Sequence, residues 1–193
     1  VCNWYKKWQL IIIWSRPKIG KTSMLMTLVD HAIDQWLKVW AYILEMTQEE
    51  MAYRYISKKS KYSVNALQSV ESDKKVKIIE TVISGIWPLS NLYIRDNLFN
   101  ISAILHDISR QHKKEWIDIV FIDYLWLIKW FDTNKQQLKT YEIQEITNAI
   151  KRLAKELWIA IVLFVQISRE SEKNSRPTPA NLRDSWAIEQ DAD

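Results

Sequence analysis

Apolar runs of strand length alternate along the chain with longer stretches whose apolar residues recur at helical spacing. The first run, "QLIII" at 9–13, predicts a strand. The segment from Gly20 to about Gln35 predicts a helix with Met24, Leu25, Leu28, Val29 and Ala32 on its inner face. "KVWAYIL" at 38–44 predicts a second strand, and about 48–84, with alternating charge and few strong packing positions, predicts a mostly helical insert. "NLYIRD" at 91–96 is a third strand, and 101–115 an amphipathic helix. "IDIVFID" at 117–123 reads as a buried strand because it is almost continuously apolar. A helix over 141–157 and the buried strand "IAIVLFVQ" at 159–166 follow. This alternation is that of βαβ units, so the expected class is α/β, a mostly parallel central sheet flanked by helices. Between Ser168 and Leu182 the composition turns to Ser, Glu, Lys, Asn and Pro, which predicts an exposed, mobile loop.

Composition narrows the class. With 193 residues, 48% hydrophobic and 26% charged, the chain suits one domain with a sizeable core. Its longest apolar runs are strand-sized and no basic-then-apolar leader precedes them, so no membrane span or signal segment is expected. Cys2 is alone, which argues against a disulfide framework and suits a reducing cytoplasm. A charge of +4 permits a nucleic-acid partner without demanding one. The chain begins with Val1 and ends in an acidic turn, "IEQDAD", that leads toward another element, so it reads as cut at both ends.

The aromatic count is unusual. Eleven Trp accompany only two Gly, whereas average usage of ~7% would give about 13 glycines. Trp36, Trp116 and Trp158 each fall between a helix and the next strand, where a chain commonly leaves the helix through a left-handed residue and Gly is favoured. Trp8 precedes the first strand, Trp14 enters the loop after it, and Trp126 and Trp130 follow the Asp123 strand. Singly, each reads as an ordinary aromatic. Together they read as glycine codons of the source organism rendered as Trp by another translation table.

"SRPKIGKT" at 15–22 matches the phosphate-loop pattern G-x-x-x-x-G-K-S/T except at its first position, where Ser15 stands for Gly. It follows a predicted strand and opens a predicted helix. In such a loop backbone N–H groups cradle phosphate oxygens, Lys21 reaches the β and γ phosphates, Thr22 ligates Mg²⁺, and Gly20 lets the backbone approach the anion. Asp123 ends a buried strand, where an acid holds the Mg²⁺ shell. Glu45 ends another and suits a general base for an attacking water, while Gln166 ends a third and suits a sensor of the γ-phosphate. Each of the three also has a plainer reading as a strand-end polar residue. All lie at the carboxyl edge of a parallel sheet, where such folds bind ligands. His31, His106 and His112 lie on predicted helices without metal-ligand spacing, so no dedicated metal cage is expected.

Five stretches, "IIIWSRPKIGKTSM", "ILEMTQEEMAYR", "VFIDYLWLI", "RLAKELWIAIVLFVQISR" and "RPTPANLRDSWAIEQDAD", together resemble the RecA-like motor domain of DnaB-type replicative DNA helicases. The resemblance covers nearly the whole chain, and the Arg-Pro within the loop and the "LRDSWAIEQDAD" ending are more specific than a phosphate loop alone. It implies a hexameric, ATP-driven P-loop NTPase that encircles single-stranded DNA at a replication fork, with primase and a helicase loader as partners. It further implies that Lys18, Gly20, Lys21, Thr22 and Ser23 hold the nucleotide and that Glu45 is the catalytic base. Asp123 would then be the metal-shell acid. Arg54 would pack on the base, and Gln166 would link the γ-phosphate to the DNA loops. Arg183, Asp184 and Trp186 match a DNA-contacting loop whose last position is glycine in the family, and Gly aligns at most of the other Trp positions too. The family's amino-terminal collar and a carboxyl-terminal segment with an arginine finger would lie outside these 193 residues. Another RecA-like ATPase, a recombinase or a RadA-like repair protein, and a non-enzymatic DNA-binding paralogue with a Trp-blocked loop remain alternatives.

Overall fold

A parallel strand buried on both faces needs apolar side chains at odd and even positions alike. The computed structural model, which describes residues 5–69, 71–85, 91–129, 140–166 and 192–193, meets that requirement in its central strands. These are β2 (Val39–Ile43) and β4 (Ile119–Asp123), buried throughout, and β5 (Ala160–Gln166), buried to its last residue but one. The edge strands β1 (Leu10–Ser15) and β3 (Leu92–Arg95) are half-buried along most of their length. All pairs are parallel, in the order β1-β5-β4-β2-β3. The chain therefore leaves β1, passes over two strand positions to β2, and later fills the gap, which creates a switch point at the carboxyl edge. Register aligns Ser15 with Gln166 and Ile43 with Asp123 along that edge.

Among the described residues the α-helices are α1 (Lys21–Asp34), α2 (Gln48–Ser60), α3 (Val64–Ser69), α4 (Ser72–Gly85), α5 (Ile101–Glu115) and α6 (Thr140–Leu157); α1, α2, α5 and α6 pack on the sheet, and α3 and α4 pack on α2. Strand periodicity divides the core in two. Trp40, Tyr42, Val120, Ile122, Ile161 and Leu163 pack with Ile104 and Ile108 of α5 and Ile146 and Ile150 of α6. Their alternates Ala41, Ile43, Phe121, Val162 and Phe164 pack with Leu25, Val29 and Ile33 of α1 and with Met51 and Tyr55 of α2.

The inner face of α1 differs from the expected one. Leu25, Val29 and Ala32 are buried, but with Met26 and Ile33, while Met24 is 48% exposed and Leu28 only half-buried. The stripe centres on 25, 29, 32 and 33, and at about 100° per residue Met24 falls off its side. The insert expected at 48–84 is three helices, α2 to α4. The loop expected at 168–182 lies outside the described residues.

At the opposite, amino-terminal edge stand Trp8, Trp36, Trp116 and Trp158, at φ 70°, 64°, 56° and 56°. Only two other non-Gly residues among those described, Lys18 and Lys61, have positive φ. The helix-exit conformation expected at Trp36, Trp116 and Trp158 is thus present. Trp14 instead lies within β1, paired with Val165, and Trp40 is buried in β2, stacked on Tyr93 at 3.8 Å. Trp130 and Trp186 are outside the described residues.

Candidate functional site

The chain leaves β1 at Ser15, which is buried with its hydroxyl unpartnered among the described residues, and turns through residues 16–20 into α1. Two left-handed residues, Lys18 at φ 64° and Gly20 at φ 99°, make this turn. Gly20 is the N-cap of α1, so no side chain caps the helix, and its first turn carries no acid. The N–H groups and positive dipole end of α1 are therefore left for an anion. At Gly20 the φ itself disfavours any side chain.

Lys21, first residue of α1, turns into the sheet edge. Its Nζ lies 2.7 Å from Asp123 Oδ1 and 2.6 Å from Glu45 Oε2, and 3.7 Å above the Tyr124 ring. Asp123 is fully buried at the end of β4, whereas the Glu45 side chain, two residues beyond β2, is 42% exposed. Burial pushes the Asp123 carboxyl above the ordinary carboxylate range; the hydrogen bond and charge of Lys21 oppose this, and the charge of Glu45 adds to it. Asp123 Oδ2 has no hydrogen-bond donor among the described residues.

A cleft of about 710 Å³, lined by Lys21 and Glu45 but not by the buried Asp123, opens here, within the usual range of small-molecule sites. It brings together Lys18, Gly20, Lys21, Thr22, Ser23, Glu45, Arg54 and Gln166. Arg54 reaches it from α2 and Gln166 from the end of β5. The Gln166 carbonyl accepts from Trp126 Nε1 at 2.6 Å. Trp14 does not line the cleft, so its bulk does not block the loop. Arg183, Asp184 and Trp186 lie outside the described residues.

Some participants were not foreseen. Tyr124 adjoins Asp123 in sequence, but nothing there says its ring will sit beneath a lysine 103 positions earlier. Ser57 and Lys58 of α2 also line the cleft, and Lys58 is held by Asp30 of α1 at 2.7 Å. Lys59 and Tyr55 join the same carboxylate, at 3.2 and 2.5 Å. Burial works against ionisation of Asp30, but these partners outweigh it and hold the carboxyl below its usual range. Of the histidines, His112 Nδ1 meets the Ile117 carbonyl and His31 meets Gln35, and His106 is exposed. No helix among the described residues is long and apolar enough to cross a membrane.

A family model described as the DnaB-like helicase C-terminal domain matches residues 1–193. The replicative DNA helicase DnaB of Helicobacter pylori is 34% identical over 197 aligned residues, covering 98% of this chain and 39% of that protein. A solved ATPase domain superposes with a TM-score of 0.85 at 26% identity, over 98% of this chain and 68% of the other. A solved DnaB-like replicative helicase, described with its interactions with primase, superposes with a TM-score of 0.83 at 28% identity, over 98% of this chain and 46% of the other. The chain spans about two fifths of the length of the curated relatives it matches.

Proposed function

The chain belongs to the DnaB-like helicase C-terminal domain family, and from that premise we propose that it is the motor of a replicative DNA helicase, hydrolysing ATP to move along single-stranded DNA and open the duplex at a fork. The observation that carries the reading is the lysine of the phosphate loop pinned between Asp123 at the end of β4 and Glu45 just beyond β2, at an uncapped helix terminus. That arrangement suits a γ-phosphate. Amides of the first turn of α1 and of the loop from Lys18 to Ser23 would hold the phosphate chain, and Arg54 would pack on the base.

The residues present fit a nucleotide-bound Mg²⁺, since Asp123 Oδ2 is a buried carboxylate oxygen with no donor among the described residues, and Thr22 lines the cleft together with Lys21, the partner of Asp123. Held through Thr22 and Asp123, the ion would neutralise charge on the β and γ phosphates. Lys21 would shift its Nζ from Glu45 to the γ-phosphate, since one ammonium has three donors and the phosphate offers more charge. This frees Glu45 to take a proton from water as its oxygen attacks phosphorus and the bond to ADP breaks. Gln166 would hydrogen-bond the γ-phosphate and relay its loss toward the DNA loop, which we assign to Arg183, Asp184 and Trp186. Contacts of that loop to phosphate rather than to bases suit a motor indifferent to sequence.

By the same reading the protein works as a ring of six copies in the cytoplasm and engages primase and a loader. Support for the primase comes from the solved relative described with one. Lys21→Ala in the complete protein is expected to reduce ATP turnover at least about a hundredfold. It removes the charge on the γ-phosphate and leaves Asp123 without its compensating cation. Steady-state phosphate release measures this, and turnover within about twofold of wild type would contradict the assignment.

A further inference from the structure

Glu45 occupies a three-residue arch whose two ends are held by different strands. At one end Leu44 N donates to the Asp123 carbonyl of β4 at 2.7 Å. At the other, Gln48 N donates to Asp96 Oδ2 at 2.9 Å, and Gln48 Nε2 donates to Asp96 Oδ1 at 3.3 Å and to the Ile94 carbonyl at 3.0 Å. Between these abutments lie Glu45, Met46 and Thr47. Thr47 is engaged with Glu50 in a reciprocal cap, which starts α2 but ties the arch to nothing outside that helix. The Glu45 side chain is bonded to Lys21, a partner that the mechanism above removes when nucleotide binds.

We propose that Asp96, immediately after β3, is a positioning residue for Glu45. It clamps the first residue of α2 and so fixes the far end of the arch on which the base is carried. This rests on the reading of Glu45 as the general base. Two features make the clamp stiff for its size. The carboxylate receives a backbone and a side-chain donor from one residue, and it sits at the positive end of α2. Gln48 is exposed and Asp96 half-buried, so their bonds add little to global stability. Without Asp96, Gln48 keeps only its side-chain bond to the Ile94 carbonyl and its backbone N–H is released, so the arch is looser at this end than at Leu44; displacement of about 1 Å at a catalytic group costs up to about a hundredfold in rate. Phosphate binding is built on β1 and α1 and would not feel the change.

The test is steady-state ATP hydrolysis by the complete protein carrying Asp96→Ala, Asp96→Asn, Gln48→Ala or Glu45→Gln, with melting temperatures recorded alongside. Asp96→Ala is expected to lower kcat about tenfold with KM for ATP within about twofold of wild type. Asp96→Asn, whose amide oxygen still accepts from Gln48 N, should recover most of the loss. Gln48→Ala keeps the backbone bond and should lower kcat about threefold; it carries the test if Asp96→Ala does not assemble. Unchanged kcat in Asp96→Ala, or in Gln48→Ala where that variant stands alone, overturns the proposal if Glu45→Gln abolishes turnover. So does a fall in kcat that Asp96→Asn does not relieve. Full turnover by Glu45→Gln overturns the base assignment instead, and this proposal with it.

Discussion

At Trp8, Trp36, Trp116 and Trp158 the backbone holds φ between 56° and 70°, a conformation that costs an L-residue with a side chain roughly 1–2 kcal/mol relative to Gly. Burial offsets little of the cost at Trp36, Trp116 and Trp158, which are 59–76% exposed, although Trp116 meets His112 edge-on and Trp158 meets Trp8. These positions were legible from composition and spacing because a helix exit imposes its φ whatever residue stands there. Trp14, Trp40 and Trp126 were not legible in that way, since they lie in strands and a 3₁₀ turn, where φ makes no demand for Gly. At Trp40 the misfit is of another kind: its buried indole N–H has no acceptor among the described residues. Replacing Trp8, Trp36, Trp116 and Trp158 together by Gly is expected to raise the melting temperature by several degrees. The relief of strain outweighs the added freedom of the unfolded chain, which is worth about 0.4–1 kcal/mol per site. If the residues are recoded glycines, all eleven codons are UGA and the native peptides carry the mass of Gly. A fall in melting temperature, or UGG codons, would return them to ordinary tryptophans.

Among the elements, the central strands were legible because burial on both faces leaves an unbroken apolar run, as in "IVFID" and "IAIVLFV". Division of the insert into α2, α3 and α4 was not, because α3 has only six residues and α2 buries only Met51 and Tyr55, which leaves little periodicity to read. Nor was the tie between β2 and α5. There Tyr42 donates to buried Asp107 at 3.0 Å, and Arg110 and Gln111 donate to it at 2.8 and 3.1 Å. Burial alone would raise the Asp107 pKa, but these bonds and the nearby charge of Arg95 hold it below its ordinary value. A carboxyl depressed on folding contributes stability above its unfolded pKa and loses it as pH falls through the folded one. Asp107→Asn is therefore expected to cost about 1–3 kcal/mol at neutral pH. The gap from wild type should close as pH drops below the unfolded value of 3.8, which urea titrations across pH would measure. A gap constant down to acid pH would mean the charge on Asp107 is immaterial.

Across the whole molecule, the strand order brings the ends of β1, β4 and β5 and the segment after β2 to one edge, and the cleft forms where the order reverses. Motif spacing made Lys21 visible as a phosphate-loop residue, and apolar runs made Glu45, Asp123 and Gln166 visible as strand-end residues. Their convergence depends on strand neighbours far apart in sequence, such as Ile43 beside Asp123, so the pinning of Lys21 between two acids could not be read. Arg183, Asp184 and Trp186, proposed to contact DNA, lie outside the described residues, so the proposed coupling of hydrolysis to movement is tested in solution. The most direct measurement is strand separation of a forked duplex by the complete protein, followed by fluorescence with ATP, without ATP, and with the Lys21→Ala variant. ATP-dependent separation that Lys21→Ala abolishes is the expected result. DNA-stimulated ATP turnover with no separation of the fork would contradict the helicase account and assign the motor to another DNA-dependent ATPase.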